Sequence, residues 1–169
     1  MVARYLDNKL PKSYKILNDL TLYFEGKWVQ MDHVVVGPTG IFVIETKNIT
    51  GNYYSDNMGW LRYPAHTIKG IPVRNYRRVV ISCPQEQSLR QKKSLENYLL
   101  GLAVKVNNAI VIPNKECKWN GGPKDKKAPV VSLSGLRGFI LKQEQNLDVQ
   151  QIEAISTKLL GLGIKMKEY

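Results

Sequence analysis

Residues 34–44 read Val-Val-Val-Gly-Pro-Thr-Gly-Ile-Phe-Val-Ile, two runs of β-branched, aliphatic and aromatic side chains around a four-residue turn signal. Such side chains favour the pleated backbone, and the turn is too short for a crossover, so the segment predicts a tight antiparallel hairpin. Upstream, Tyr14 to Phe24 and Lys27 to Val36 read as two strands parted by Glu25-Gly26. Downstream, Gly51 to Tyr63 reads as a second hairpin around Ser55-Asp56-Asn57. The residues from Val2 to Lys9 resemble the closing turns of a helix ended by Leu10-Pro11. Pro84 suits the first position of a helix that runs to about Leu100 and stops at Gly101. Val104 to Ile112 then predicts a buried strand, Pro113 to Pro129 a long loop, and Pro129 to Leu133 a short strand. Ser134 is a candidate cap for a helix to Leu141, and Val149, Ile152, Ile155 and Leu159 trace one face of a last helix stopped at Gly161. Hairpins followed by helix, strand, strand and helix make an α/β fold whose sheet is mixed rather than doubly wound.

A chain of 169 residues, 43% hydrophobic and 23% charged, fits a single domain spanning 1–169. Its 25 lysines and arginines against 14 acids leave a net charge of +11, which favours polyanionic partners, either nucleic acid or an anionic membrane surface. No run approaches the roughly 20 apolar residues of a membrane helix. The N-terminus lacks the pattern of a secretory signal, so no membrane partner and a cytoplasmic location are expected. Cys83 and Cys117 have no zinc-site spacing and suit a reducing compartment.

On a regular strand Glu45 and Lys47 share a face with Ile41 and Val43, and Asp32 shares one with Val34 and Val36. The hairpin folds Asp32 back towards Glu45 and Lys47, so two carboxylates and an ammonium are expected to extend a buried stripe. Burying charge is costly unless the groups pair or hold a metal. A cross-strand salt bridge is one explanation. Phosphodiester hydrolysis is the other. Asp32 and Glu45 would hold Mg2+ or Mn2+, the Thr46 carbonyl would complete the ligand set, and Lys47 would act on the attacking water and the phosphate.

The stretch from Gln30 through Asp32-His33-Val34-Val35-Val36-Gly37-Pro38-Thr39-Gly40-Ile41-Phe42-Val43-Ile44-Glu45-Thr46-Lys47 to Asn48 resembles the central motif of the nuclease-related domain, or NERD, family. The similarity extends upstream over Tyr14 to Leu20 and downstream to the helix carrying Pro84 and Gln87, roughly the first hundred residues. It implies a restriction-endonuclease-like mixed β-sheet flanked by helices, of the PD-(D/E)xK group. It also implies metal-binding roles for Asp32 and Glu45, an active-site role for Lys47 and a supporting polar role for Gln87. Two departures stand out. The family's first helix carries a Gly-Glu pattern, whereas this chain starts after that point and keeps only Asp7 among nearby acids. Cys83-Pro84-Gln85-Glu86-Gln87 stands where the family has Asn-Pro-x-x-Gln.

Gln87 and Gln91, one helical turn apart, have two readings, both facing the hairpin or, the commoner situation, lying on a solvated helix face; His33, opposite Asp32 by strand alternation, fits packing or surface. Arg62, Lys69, Arg74, Arg77, Arg78, Arg90, Lys92 and Lys93 form a basic run in which Glu86 is the one acid, as a surface for phosphate backbones would require. Two functions follow for such a chain. It is a Mg2+- or Mn2+-dependent nuclease acting on DNA in preference to RNA, or a non-catalytic nucleic-acid-binding domain of the same fold.

Overall fold

The valine run of the first hairpin is apolar at every position, so a sheet built on it needs cover on both faces. The computed structural model describes residues 1–55, 59–63, 67–68, 71–72, 79–81, 83–102, 104–121 and 128–165. In chain order the elements are α1 (Val2–Lys9), β1 (Lys15–Phe24), β2 (Lys27–Gly37), β3 (Gly40–Thr46), β4 (Gly51–Ser55) and β5 (Trp60–Tyr63). There follow β6 (Thr67–Ile68), β7 (Ile71–Pro72), β8 (Val79–Ile81), α2 (Pro84–Tyr98), β9 (Val106–Ile112) and β10 (Cys117–Trp119). The chain then forms β11 (Val130–Ser132), α3 (Leu133–Leu141) and α4 (Val149–Lys165).

The main sheet has the order β1-β2-β3-β9-β11. β1, β2 and β3 pair antiparallel, whereas β9 runs parallel to both β3 and β11. This is the mixed sheet expected. Val34, Val36, Ile41 and Val43 pack with Leu95 and Leu99 near α2 and with Ile152, Ile155 and Leu159 of α4. Val35, Phe42 and Ile44 face the other way, onto Val2 and Leu6 of α1 and Leu136 and Ile140 of α3. Both faces are therefore covered, which is why the hairpin tolerates no polar position until its end.

The chain departs from the sequence expectations in four places. The stretch Pro113 to Pro129 is not all loop, because β10 adds to a second sheet of order β10-β4-β5-β8, parallel to β4. Three residues are too few to show a period, so this strand left no sequence signal. Ser132 rather than Ser134 caps α3, its hydroxyl accepting from the Gly135 amide at 3.2 Å. α4 runs through Gly161 to Lys165, since a helix packed along one face can absorb the modest cost of a glycine. Val149 at its start is 74% exposed and takes no part in the buried face.

The turn of the first hairpin is closed by an aromatic side chain. The Tyr14 hydroxyl lies 2.9 Å from Thr39 Oγ1, and Thr39 donates in turn to the Ile140 carbonyl of α3 at 3.0 Å. A Cβ at Gly37 would sit 2.1 Å from the Tyr14 ring. Gly37→Ala is therefore expected to lower stability by about 2 kcal/mol through overpacking. In a Tyr14→Ala background the same change should cost markedly less, and urea titration of the four proteins of this cycle measures the difference.

Candidate active site

Lys47 follows β3, and its amide donates to the Val111 carbonyl at 2.9 Å. Odd-numbered residues of β3 therefore bond towards β9, and Thr46, by alternation, turns its N–H and C=O towards β2. There the Thr46 amide meets Asp32, donating to Oδ2 at 2.8 Å. The same alternation turns the Thr46 carbonyl towards β2.

Asp32 reaches that amide because both strands of the β1–β2 pair are irregular at one point. Pairing runs from Lys15↔Val36 to Asn18↔His33, omits Asp19 and Asp32, and resumes at Leu20↔Met31. Asp19 has a backbone φ of 57°, a left-handed conformation that costs a non-glycine residue energy. The apolar residues packed in the core on either side of this point are Leu17 then Leu20 on β1, and Val34 then Met31 on β2. A step of three where regular strands step by two means that one residue on each strand has left the alternation. Asp32 is the residue that leaves on β2. The expectation that Asp32 shares the face of Val34 and Val36 is accordingly corrected. An irregularity of this kind re-aims a side chain, and here it aims a carboxylate at the end of β3.

Asp32, Asp19, His33, Thr46, Asn48 and Pro113 line one groove of about 300 Å3 with the first residues of α1. His33 is not directed away from Asp32, since it shares this groove. Its Nδ1 is hydrogen-bonded to Asn18 Oδ1 at 2.6 Å, across the pair next to the break. Burial lowers its pKa below the ordinary histidine value, opposed by the nearby Asp32 and Asp19 carboxylates.

Glu45 is 3% exposed, a carboxyl group at the rim of an apolar core. Its Oε1 is ion-paired with Lys47 Nζ, and its Oε2 accepts from Gln91 Nε2 at 2.5 Å. Lys47 Nζ donates also to Gln87 Oε1 at 2.9 Å. Glu45, Lys47 and Gln87 are thus joined by direct contacts, with Asp32 held to the main chain between the first two. Thr46 Oγ1 and Gln91 Oε1 are buried without a hydrogen-bond partner. Among the described residues no group of three or more His, Cys, Asp or Glu side chains converges as a metal centre of its own.

Sequence reasoning missed Gln85 and ranked the hairpin-facing reading of Gln91 below a solvated one. Gln91 is buried, and it also donates to the Gln30 carbonyl at 2.8 Å. Gln85 is buried too and accepts from the Trp60 indole of β5. A signal was present in the spacing, for Ser88, Gln91 and Ser94 recur at the same three-residue step as the buried face of α2. Glutamine and serine carry no apolar label, so that face went unrecognised.

Of the basic residues, Arg62, Arg90 and Lys93 are exposed, and Lys92 lies 3.7 Å from Glu96 on the same helix. Lys69, Arg74, Arg77 and Arg78 lie outside the described residues. Cys83 and Cys117 form no disulfide, and burial raises the Cys117 thiol pKa. No helix among the described residues is long and apolar enough to cross a membrane.

Comparison with known proteins adds three findings. The family model for the nuclease-related domain matches residues 1–113. An uncharacterized protein of Bacillus anthracis is 47% identical over 55 residues, 32% of this chain and 26% of that protein, so the match spans about a quarter of the relative's length. No solved structure matches.

Removing one partner of a buried ion pair strands the other charge. Lys47→Met is expected to cost about 3 kcal/mol, because Glu45 then keeps a buried charge with Gln91 as its remaining support. Adding Glu45→Leu should recover most of that loss. Urea unfolding of the single and double variants checks both, and equal stabilities for Lys47→Met and wild type would mean the pair carries no weight.

Proposed function

The chain belongs to the nuclease-related domain family, a member of the PD-(D/E)xK-like nuclease group, and from that premise we propose that it is a metal-dependent nuclease hydrolysing phosphodiester bonds of DNA. The observation that supports this most is Glu45, a buried carboxylate contacted by a lysine and an amide beside an aspartate turned out of the alternation of its strand. A pair built for stability alone has no need of the irregularity at Asp32.

The donors fit a hard divalent cation. Asp32, Glu45 and the Thr46 carbonyl are all oxygens, and two carboxylates with water completing the shell is the pattern magnesium accepts. Manganese has similar preferences. When bound, the cation lowers the pKa of a water and offsets charge that develops on the phosphate. Asp32 and Glu45 would hold it. Lys47, fixed between Glu45 and Gln87, carries the positive charge that would orient the attacking water and stabilise a phosphate oxygen. Gln87 keeps the ammonium in place by accepting a hydrogen bond from it.

The net charge of +11 would draw the phosphate backbone to the protein without reading sequence. Arg62, Arg90, Lys92 and Lys93, with Lys69, Arg74, Arg77 and Arg78, are the residues proposed to hold it. Asp32, Glu45 and Lys47 are proposed to cut it.

Incubation with plasmid, single-stranded DNA and RNA, with and without Mg2+ or Mn2+, tests the reading. Cleavage of DNA that requires the cation is expected, and Glu45→Ala should abolish it while the protein stays folded, since a ligand and a buried charge are lost together. Binding without cleavage under every cation would favour the non-catalytic nucleic-acid-binding domain instead. Affinity should fall steeply with salt, and replacing Arg74, Arg77 and Arg78 together should flatten the log–log slope by up to about three contacts of roughly 0.9 each on duplex DNA. An unchanged slope would remove those arginines from the interface.

A further inference from the structure

Gln91 is 1% exposed, and its Nε2 donates to two oxygens, Glu45 Oε2 and the Gln30 carbonyl. A carboxylate and a main-chain carbonyl can only accept, so the amide has one workable orientation; turned over, it would set its own oxygen against both. In that orientation Gln91 Oε1 is buried with no partner. Packing does not account for such a residue. An aliphatic side chain, like the buried Leu95 one turn further along α2, would fill the space without burying an unsatisfied oxygen. What leucine could not do is make the two donations.

Those donations act on both halves of the candidate cation site. One fixes the Glu45 carboxylate on β3, and the other holds β2 at Gln30, two residues before Asp32. Gln91 is also neutral. A lysine or arginine in its place would cancel the Glu45 charge, whereas an amide orients the carboxylate and leaves that charge for a cation. Lys47, on the opposite oxygen, differs in having a second acceptor, Gln87 Oε1, to which it can turn.

We propose that Gln91 is a positioning residue for divalent-cation binding, setting the orientation of the Glu45 carboxylate and its spacing from the strand that carries Asp32. The inference rests on the reading of Asp32 and Glu45 as cation ligands. Groups that orient metal ligands in this way typically change affinity by about 10- to 100-fold when removed.

The test is Mn2+ binding to the full chain, read from the electron paramagnetic resonance signal of free hydrated Mn2+, in the wild type, Gln91→Leu, Gln91→Met and Glu45→Gln. Each is measured well below its melting temperature and on protein verified as folded by circular dichroism. Leu95→Ala serves as a destabilised control outside the site. The expected result is a loss of Mn2+ affinity of about 10- to 100-fold in the two Gln91 variants, none in Leu95→Ala at comparable loss of stability, and the largest loss in Glu45→Gln. Wild-type affinity in a folded Gln91 variant, with Glu45→Gln impaired, overturns the proposal and leaves the cation reading standing. If both Gln91 variants fail to fold where Leu95→Ala folds, Gln91 belongs to the fold and the proposal falls. A wild type that takes up no Mn2+, indistinguishable from Glu45→Gln, removes the premise and the proposal with it.

Discussion

Glu45 sets the terms for everything around it. A carboxylate 3% exposed near the end of a strand that is apolar up to that point is costly to bury without close partners. Lys47 supplies a charge from just beyond the end of that strand, but its side chain is itself partly solvated and is shared with Gln87. The remaining oxygen is met from outside the strand, by Gln91 of α2. Its buried face is mostly polar, with Gln85, Ser88, Gln91 and Ser94 ahead of Leu95. Gln85 binds Trp60, Ser88 accepts from Asn108 of β9, and Gln91 reaches β2 and β3. A greasy interface can slide by an ångström at little cost. One built from directional bonds cannot, because each displaced donor leaves a buried group unpaired.

Asp32 meets the opposite demand. Glu45 is fixed by continuing the regular strand, whereas Asp32 reaches the same end of the sheet only by leaving it. Asp19 takes a left-handed backbone conformation opposite, and the hydrogen bond between His33 and Asn18 closes the pair beside the gap. The strain is confined between two well-paired segments of the same hairpin, each anchored in the core, so the cost is borne locally. The antiparallel register is unchanged across the break, since one residue is released from each strand. Released residues on both strands leave the hairpin intact and still turn a carboxylate.

What could be read from the sequence divides along the same line. The hairpin, the order of its strands, the helix at Pro84 and the Glu45-x-Lys47 pair all follow from local periods of two or 3.6 residues and from turn residues within a few positions. Their partners are near in sequence, so the pattern contains them. The sequence puts Asp32 on the wrong face, because alternation is a rule for regular strands and nothing in Gln30-Met31-Asp32-His33 announces its suspension. Gln91 meets Glu45 across 46 positions. Its burial depends on which side of α2 the sheet lies, and for a helix face of glutamines and serines hydropathy cannot decide that. β10, with three residues and a partner more than sixty positions earlier, is invisible for the same reason.

The polar face of α2 carries a consequence for how the site could change. Gln85, Gln87 and Gln91 have the same side-chain chemistry, yet each is committed to a different partner: the Trp60 indole of the second sheet, the Lys47 ammonium and the Glu45 carboxylate. Turning the helix by one residue, about 100°, would break all three commitments and swing the apolar Leu95 away from the core. The helix therefore has one position on the sheet, and displacement at either end must be felt at the other. Trp60 stacks on Trp119 of β10, with ring centroids 4.3 Å apart, so the edge of the second sheet is tied through Gln85 to the helix that holds the site. The helix whose Gln91 supports Glu45 thus also ties the two sheets together through Gln85. Even a conservative replacement on this face, such as glutamine by leucine, would alter geometry at a distance from the substituted atom.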